Sequence, residues 1–407
     1  MSRYLFLTQL YPSGLSGTSV KTRHTIEYLL RDGHTVDVVC IHHVSLIRPD
    51  DFVHRRLNIF VVPAQVMSSF SFEYFVKNVP LLLSTTPFRV KKLFSTQFFA
   101  TAQTLLESHQ YAQVFFDGFA MLQYAPLLMS QLKTYRSNQY LEKLGRRFVY
   151  IDDEDITDLM KQRLIRTPNS VLKIFFYAEF LKCRWYERTV LPCIARIWAI
   201  SPRTAAHFRA IAQCPVHVMP TIVAQRKSTF SVTSQLVMFT GLLSWMENTV
   251  GLEWFLKNVW PQVIKKLPKV RLMVVGQMAK PDFIALLQST PNVIYKGYVA
   301  DLSTVYKKSA VAIAPILTNC GIKVKIVTYL SYGLPVISTS TATWGLKSLD
   351  GILTADTATT FAAQLISVLE DSRLRQKLSR LAIKNIVLNH SNTALRSFFS
   401  RAGLIKK

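Results

Sequence analysis

Residues 4–40 read YLFLTQLYPSGLSGTSVKTRHTIEYLLRDGHTVDVVC. A short apolar and aromatic run, Tyr4-Leu5-Phe6-Leu7-Thr8, is followed by a Gly/Ser turn from Ser13 to Thr18. An amphipathic stretch then runs from about Val20 to Arg31, with Ile26, Leu29 and Leu30 spaced for one helical face. Gly33-His34 stops it, and Thr35-Val36-Asp37-Val38-Val39-Cys40 is the next strand. Strand, helix, strand predicts a parallel sheet with right-handed crossovers. Working outward, further strands are expected at Asn58 to Val62, Gln113 to Phe116, Arg147 to Ile151 and Ala195 to Ile200.

A second series opens at Leu236-Val237-Met238-Phe239-Thr240-Gly241. It continues through a helix around Val250 to Leu267, a strand Val270 to Val275, and strands near Val293, Val311 and Val336. Both halves thus begin strand, Gly-containing turn, helix, strand. Between them Pro215 to Ser234 is rich in Pro, Thr and Ser and lacks helical periodicity, which places a hinge there. The expected fold is α/β, with two doubly wound domains facing a cleft; such sheets bind ligands at the carboxyl ends of their strands.

Composition narrows the function. The 407 residues are too many for one core, and 49% hydrophobic with 18% charged residues excludes a disordered chain. Lys and Arg number 49 against 24 Asp and Glu, a net charge of +25 that implies an anionic partner. The five cysteines (Cys40, Cys183, Cys193, Cys214, Cys320) have no metal-ligand spacing and suggest a reducing compartment. The first residues read as a strand, not a secretory signal. The longest apolar stretch, Tyr111 to Leu132, carries Asp117 and Pro126, so no membrane span is expected. A cytoplasmic chain follows as the expectation. A G-x-G-x-x-G dinucleotide signature is absent, as is any argued nucleophile–His–acid triad, and no nucleic-acid motif accompanies the charge.

The second half carries a specific pattern. Gly241-Leu-Leu-Ser-Trp245-Met-Glu-Asn248, then Val259-Trp260-Pro261, resembles the Gly-x-Met-Asp-Trp-x-x-Asn opening of one branch of glycosyltransferase family 4. The likeness continues through Val299 to Leu302 and Ala314-Pro315. It ends in Gly321-Ile-Lys323-Val-Lys325-Ile-Val-Thr328 and Gly333-Leu-Pro335-Val-Ile-Ser-Thr339. The resemblance implies the GT-B fold and a retaining transfer of a sugar, of hexosyltransferase type, from a nucleotide-diphosphate donor to a polysaccharide or glycolipid precursor. The alternative is a catalytically degenerate GT-B module that binds a glycan or protein partner. The implied domains are an acceptor-side domain 1–220, a hinge 221–234, a nucleotide-sugar-binding domain 235–385, and a terminal helix 386–407 packing back on the first domain.

The resemblance also implies the site. Nucleotide-sugar contacts fall on Gly17, Thr18, Gly241, Trp245, Asn248, Gly321, Lys323, Lys325 and Thr328. Two lysines in the first turn of a helix oppose its dipole unless an anion lies between them, which suits a diphosphate; the bland reading is a solvated helix end. The two family glutamates align with Cys320 and Thr328, so one hydroxyl stands where relatives hold the donor ribose with a carboxylate. Catalytic roles are expected for Lys325, Asp117 and Glu154, although Asp117-Gly118 also reads as a turn. The run Asp152-Asp153-Glu154-Asp155 reads as acceptor recognition, a metal site or a cap. Lys21 and Arg23 read either as site charge or as a solvated face. No cofactor or metal is expected in this family, where lysines and helix termini carry the diphosphate charge. Partners are a nucleotide-sugar donor, a glycan or lipid-linked acceptor and an anionic membrane surface, with no nucleic acid. Aromatics mixed with lysines from Phe70 to Phe94 suggest the element that touches the inner face of the membrane peripherally.

Overall fold

A computed structural model describes the chain except for residues 13–16, 43–51, 64–83, 135, 153–154, 168–170, 224–233, 300, 318–322 and 404–407, and except for the side chains of 17, 18, 42, 166 and 171. The chain divides into two compact units, Met1–Met219 and Pro220–Lys407.

The first unit holds seven strands: β1 (Arg3–Thr8), β2 (Thr35–His42), β3 (Leu57–Pro63), β4 (Gln113–Asp117), β5 (Phe148–Ile151), β6 (Arg196–Ala199) and β7 (Val216–Val218). They pair in parallel in the order β3-β2-β1-β4-β5-β6-β7. Tyr4 through Thr8 are buried without alternation, which only a sheet covered on both faces permits. Helix α1 (Gly17–Arg31) returns the chain from β1 to β2. It ends because Gly33 adopts φ +87°, letting the Gly33 and His34 N–H groups bond back to the carbonyls of Leu30 (3.2 Å) and Leu29 (3.0 Å). Four further helices matter below: α2 (Ile156–Arg166), α3 (Val171–Val190) and α4 (Pro202–Ile211) here, and α5 (Met246–Trp254) in the second unit.

The second unit holds six parallel strands: β8 (Leu236–Thr240), β9 (Arg271–Val275), β10 (Val293–Tyr295), β11 (Val311–Ala314), β12 (Val336–Ser338) and β13 (Ile352–Thr354), in the order β10-β9-β8-β11-β12-β13. Helix α6 (Val324–Ser331) connects β11 to β12. It closes with the same device as α1: Gly333 at φ +73°, its N–H on Leu330 O (2.9 Å) and that of Leu334 on Tyr329 O (3.1 Å). The Gly-Leu-Pro-Val sequence is therefore a helix stop feeding a buried strand. The unit ends with α7 (Ser372–Asn389) and α8 (Asn392–Arg401).

Both sheets are Rossmann-like, and in both the strand order reverses beside the first strand, between β1 and β4 and between β8 and β11. The short edge strands β7 and β13 were not expected. Three residues carry too little pattern to mark a strand, and pairing with β6 and β12 makes them one. Part of the expected hinge is anchored instead. Thr221, Ile222 and Val223 are buried; the His390 ring Nδ1 donates to Thr221 O (2.7 Å), and the Val223 N–H donates to His390 O (3.2 Å). The terminal segment does not start as a helix at 386, which lies inside α7, and it groups with the second unit.

At the reversal in the first unit, Asp117 ends β4 with no exposure. Lys21 of α1, also buried, pairs with it at 3.1 Å, and the Thr22 hydroxyl donates to its other oxygen. The carboxylate that looked like a cleft group is a counter-ion fastening α1 to the sheet. Lys21 belongs to neither of its expected settings, since it lies in the core. Removing one partner of a buried pair leaves the other charge uncompensated. Asp117→Ala is expected to lose about 3–5 kcal/mol in denaturant unfolding, and Lys21→Met in the same chain should recover much of that loss.

Candidate functional site

In the second unit the corresponding reversal is built differently. Tyr329 of α6 is buried, and its hydroxyl accepts the N–H of Thr240 (2.8 Å) and bonds the Thr240 hydroxyl (2.9 Å). That pins the end of β8 to α6 and fixes Gly241 over the start of the helix. From α6 the side chain of Lys325 reaches back under the β8 turn. Its Nζ donates to Asn248 Oδ1 at 2.7 Å and lies 4.1 Å from the centroid of the Phe239 ring. Asn248, in the first turn of α5, spends its amide N–H on Leu242 O (2.8 Å), so its oxygen is aimed at the lysine.

Space decides which residues fit here. A Cβ on Gly241 would lie 2.7 Å from Lys325 Nζ and 2.9 Å from Asn248 Nδ2. A Cβ on Gly251, within α5, would lie 1.7 Å from the Pro315 carbonyl oxygen. The first glycine makes room for an ammonium, and the second lets α5 lean on the chain leaving β11. Gly251 was readable as a glycine inside a helical pattern. Phe239 and Tyr329 were not, because aromatic residues in a strand and on a helix face are ordinary core.

Among the described residues Lys325 has no carboxylate partner. Burial pushes its pKa down to about 7, and the neighbouring charge of Lys323 adds to the fall. Lys323 caps α6 with an extended backbone, its carbonyl accepting the Ile326 N–H (2.9 Å). The site is thus an electropositive corner formed by two lysines and the first N–H groups of α6. Such a corner can take an anion.

The other expected residues fall as follows. Trp245 is the half-buried N-cap of α5, its carbonyl accepting the Asn248 N–H (3.0 Å). The Thr328 hydroxyl donates to Val324 O within its own helix (3.0 Å), leaving its lone pairs for one acceptor role. Gly17 and Thr18 open α1 in the first unit. Gly321 and Glu154 lie outside the described residues. Beside Glu154, Asp152 is buried and accepts the Tyr150 hydroxyl (2.7 Å), and Asp155 caps α2 by accepting the Asp158 N–H (2.8 Å). Burial pushes the Asp155 carboxyl up to about 6. Among the described residues no group of three or more His, Cys, Asp or Glu is placed to hold a metal ion. Nor is any described helix long and apolar enough to cross a membrane.

Residues 234–371, which contain the whole site, match the family model "Glycosyl transferases group 1". An uncharacterized 44.6 kDa protein in the cps region of Klebsiella pneumoniae is 24% identical over 282 residues, 61% of this chain and 71% of that protein. Among solved structures, sucrose-phosphate synthase of Thermosynechococcus elongatus superposes with TM-score 0.68 at 13% identity, covering 98% of both chains. WaaG, a glycosyltransferase involved in lipopolysaccharide biosynthesis, gives 0.61 at 14% identity over 98% of each chain. HepE of Anabaena, solved with UDP and glucose, gives 0.61 at 13% identity over 100% of each. The fold is therefore GT-B, and the family match on that fold indicates a glycosyltransferase.

Two predictions test the corner. Gly241→Ala pushes only on flexible side-chain ends, so the melting temperature should hold while nucleotide-diphosphate affinity falls about tenfold, or ~1.4 kcal/mol, by calorimetric titration. Gly251→Ala pushes on backbone and should instead lower the melting temperature. The second prediction concerns protons. The folded Lys325 ammonium sits below its unfolded value, so between about pH 7 and the ordinary lysine range the unfolded chain binds more protons. Its contribution to stability therefore rises with pH across that window, and Lys325→Met should stabilise the unliganded protein most below pH 7. A bound diphosphate restores the charge, so titration above pH 7 in buffers of different ionisation enthalpy should show proton uptake that Lys325→Met abolishes.

Proposed function

We propose that this chain is a retaining enzyme of glycosyltransferase family 4, in the branch whose second domain opens Gly-x-Met-Asp-Trp-x-x-Asn. It moves a sugar, as a hexosyltransferase, from a nucleotide-diphosphate donor to a polysaccharide or glycolipid precursor. The observation that carries the reading is the Lys325 ammonium, half-buried at the strand-order reversal with an amide and a ring for neighbours and no described carboxylate. A cation left in that state gains most when an anion enters.

The donor's diphosphate lies against Lys325, Lys323 and the start of α6. As the bond from the anomeric carbon to the diphosphate oxygen breaks, that oxygen gains charge, and fixed donors stabilise it most where it develops. The acceptor hydroxyl attacks from the same face and passes its proton to the departing phosphate, so no protein nucleophile is needed and no metal is assigned to the step. Trp245 and Asn248 shape the donor pocket, and the Thr328 hydroxyl accepts from one ribose hydroxyl. The polysaccharide or glycolipid acceptor is supported by WaaG's place in lipopolysaccharide biosynthesis and by the cps region of the Klebsiella relative. The net charge of +25 supports a peripheral position at the cytoplasmic face of an anionic membrane.

The test is a thermal-shift and calorimetric screen across nucleotide-diphosphates and their sugars, followed by nucleotide release with the best donor. Lys325→Ala should weaken nucleotide-diphosphate binding by about 1.5–3 kcal/mol, the scale of a hydrogen bond to a charged group, and reduce turnover with it. Wild-type affinity in that variant would remove Lys325 from the site.

A further inference from the structure

Helix α3 is turned the wrong way round for a water-facing helix. Its sequence, VLKIFFYAEFLKCRWYERTV, contains two acidic residues, and both point inward. Glu179 accepts the Phe88 N–H (2.8 Å) and the Lys182 ammonium (2.9 Å); Glu187 accepts the Thr157 hydroxyl (2.7 Å) and meets His207 Nε2 of α4 (2.9 Å). Outward stand Ile174, Tyr177, Leu181 and Trp185, at spacings of three and four that form one stripe. Ile174 is 70% exposed and Trp185 53%. On α2, Ile165 is 68% exposed.

Among the described residues the exposed charges of α2 and α3 are basic. Arg184 and Arg188 of α3 and Lys161 of α2 are exposed, and Lys173 is half-buried. Beside the Trp185 end lies a cavity of about 430 Å³ whose lining includes Lys161, Arg184, Arg188 and Arg203. The acids of that cavity are buried (Asp155, Glu187) or, for Asp158, already paired with Arg203 at 2.9 Å. An apolar stripe costs free energy in water, and exposed cations gain from an anionic neighbour; both are served by a surface that is apolar within and anionic at its rim. A protein patch would have to supply both features by chance of sequence, whereas an anionic bilayer supplies them everywhere. Tyr and Trp suit its headgroup level, with an apolar ring and one polar atom.

We infer that the α2–α3 face is the surface by which this protein lies on an anionic bilayer, with Ile174, Leu181 and Trp185 in the acyl boundary and Arg184 and Arg188 among the phosphates. The inference deepens the membrane part of the proposed function and is independent of the donor site. The element expected from Phe70 to Phe94 lies mostly outside the described residues; within it, Val90 is buried and Phe94 stacks on Tyr124.

The test is co-sedimentation of the full chain with vesicles of phosphatidylglycerol and phosphatidylcholine, against phosphatidylcholine alone. Wild type should bind the anionic vesicles and lose them as salt rises. The variant Ile174→Ser, Leu181→Ser, Trp185→Ser should bind at least about tenfold more weakly, as should Arg184→Gln, Arg188→Gln. Both should keep the wild-type melting temperature and UDP affinity, which separates lost docking from lost folding. The inference is overturned if the apolar variant binds like wild type, or if wild type binds both vesicle types equally. It is also overturned if wild type ignores vesicles and is a dimer that the apolar variant turns monomeric, for then a second copy covers the face. Vesicle binding without affinity for any nucleotide-diphosphate would leave the docking surface standing and fail the glycosyltransferase site.

Discussion

The ammonium of Lys325 is where the second unit's construction converges. Holding a lysine in a half-buried corner with an amide and a ring for company is unfavourable by itself, as its fall to a pKa of about 7 records. Everything around it serves to hold it there. Gly241 leaves the space, Gly251 lets α5 bring Asn248 close, Asn248 is aimed by Leu242, and Tyr329 locks the end of β8. Under the proposed function, stability given up at such a corner would be recovered when the diphosphate binds.

The first unit shows the contrasting solution at the same topological position. There, too, a lysine stands at the reversal of strand order, but Lys21 meets one oxygen of Asp117 and the Thr22 hydroxyl donates to the other. One architecture used twice thus carries a structural ion pair in one unit and, among the described residues, a cation without a carboxylate partner in the other. The difference lies in whether a carboxylate or an amide faces the lysine.

The surplus of positive charge is distributed by a third rule. On α3 the acids are consumed in the interior and the arginines are left outside with tryptophan, tyrosine and isoleucine. The proposed membrane face would give both halves of that arrangement one environment.

Much of this was legible in the chain alone. The alternation of short strands with amphipathic helices specifies parallel sheets, because hydrophobic period and connection length are local properties. Gly33 and Gly333 mark helix ends for the same reason, since a left-handed residue after a helix is decided within six residues. Lys325, Asn248 and Gly241 could be named from their pattern. Only the tertiary structure decided what each side chain faces. Asp117 and Lys325 both read as catalytic, yet one is sealed against Lys21 and the other looks onto an amide 77 positions away in sequence. The inward turn of Glu179 and Glu187 depends on Phe88, Thr157 and His207, contributed by other elements. Charge compensation is set by distance in space, which composition and spacing do not contain, and it is what separates a lysine paired with a carboxylate from one facing an amide.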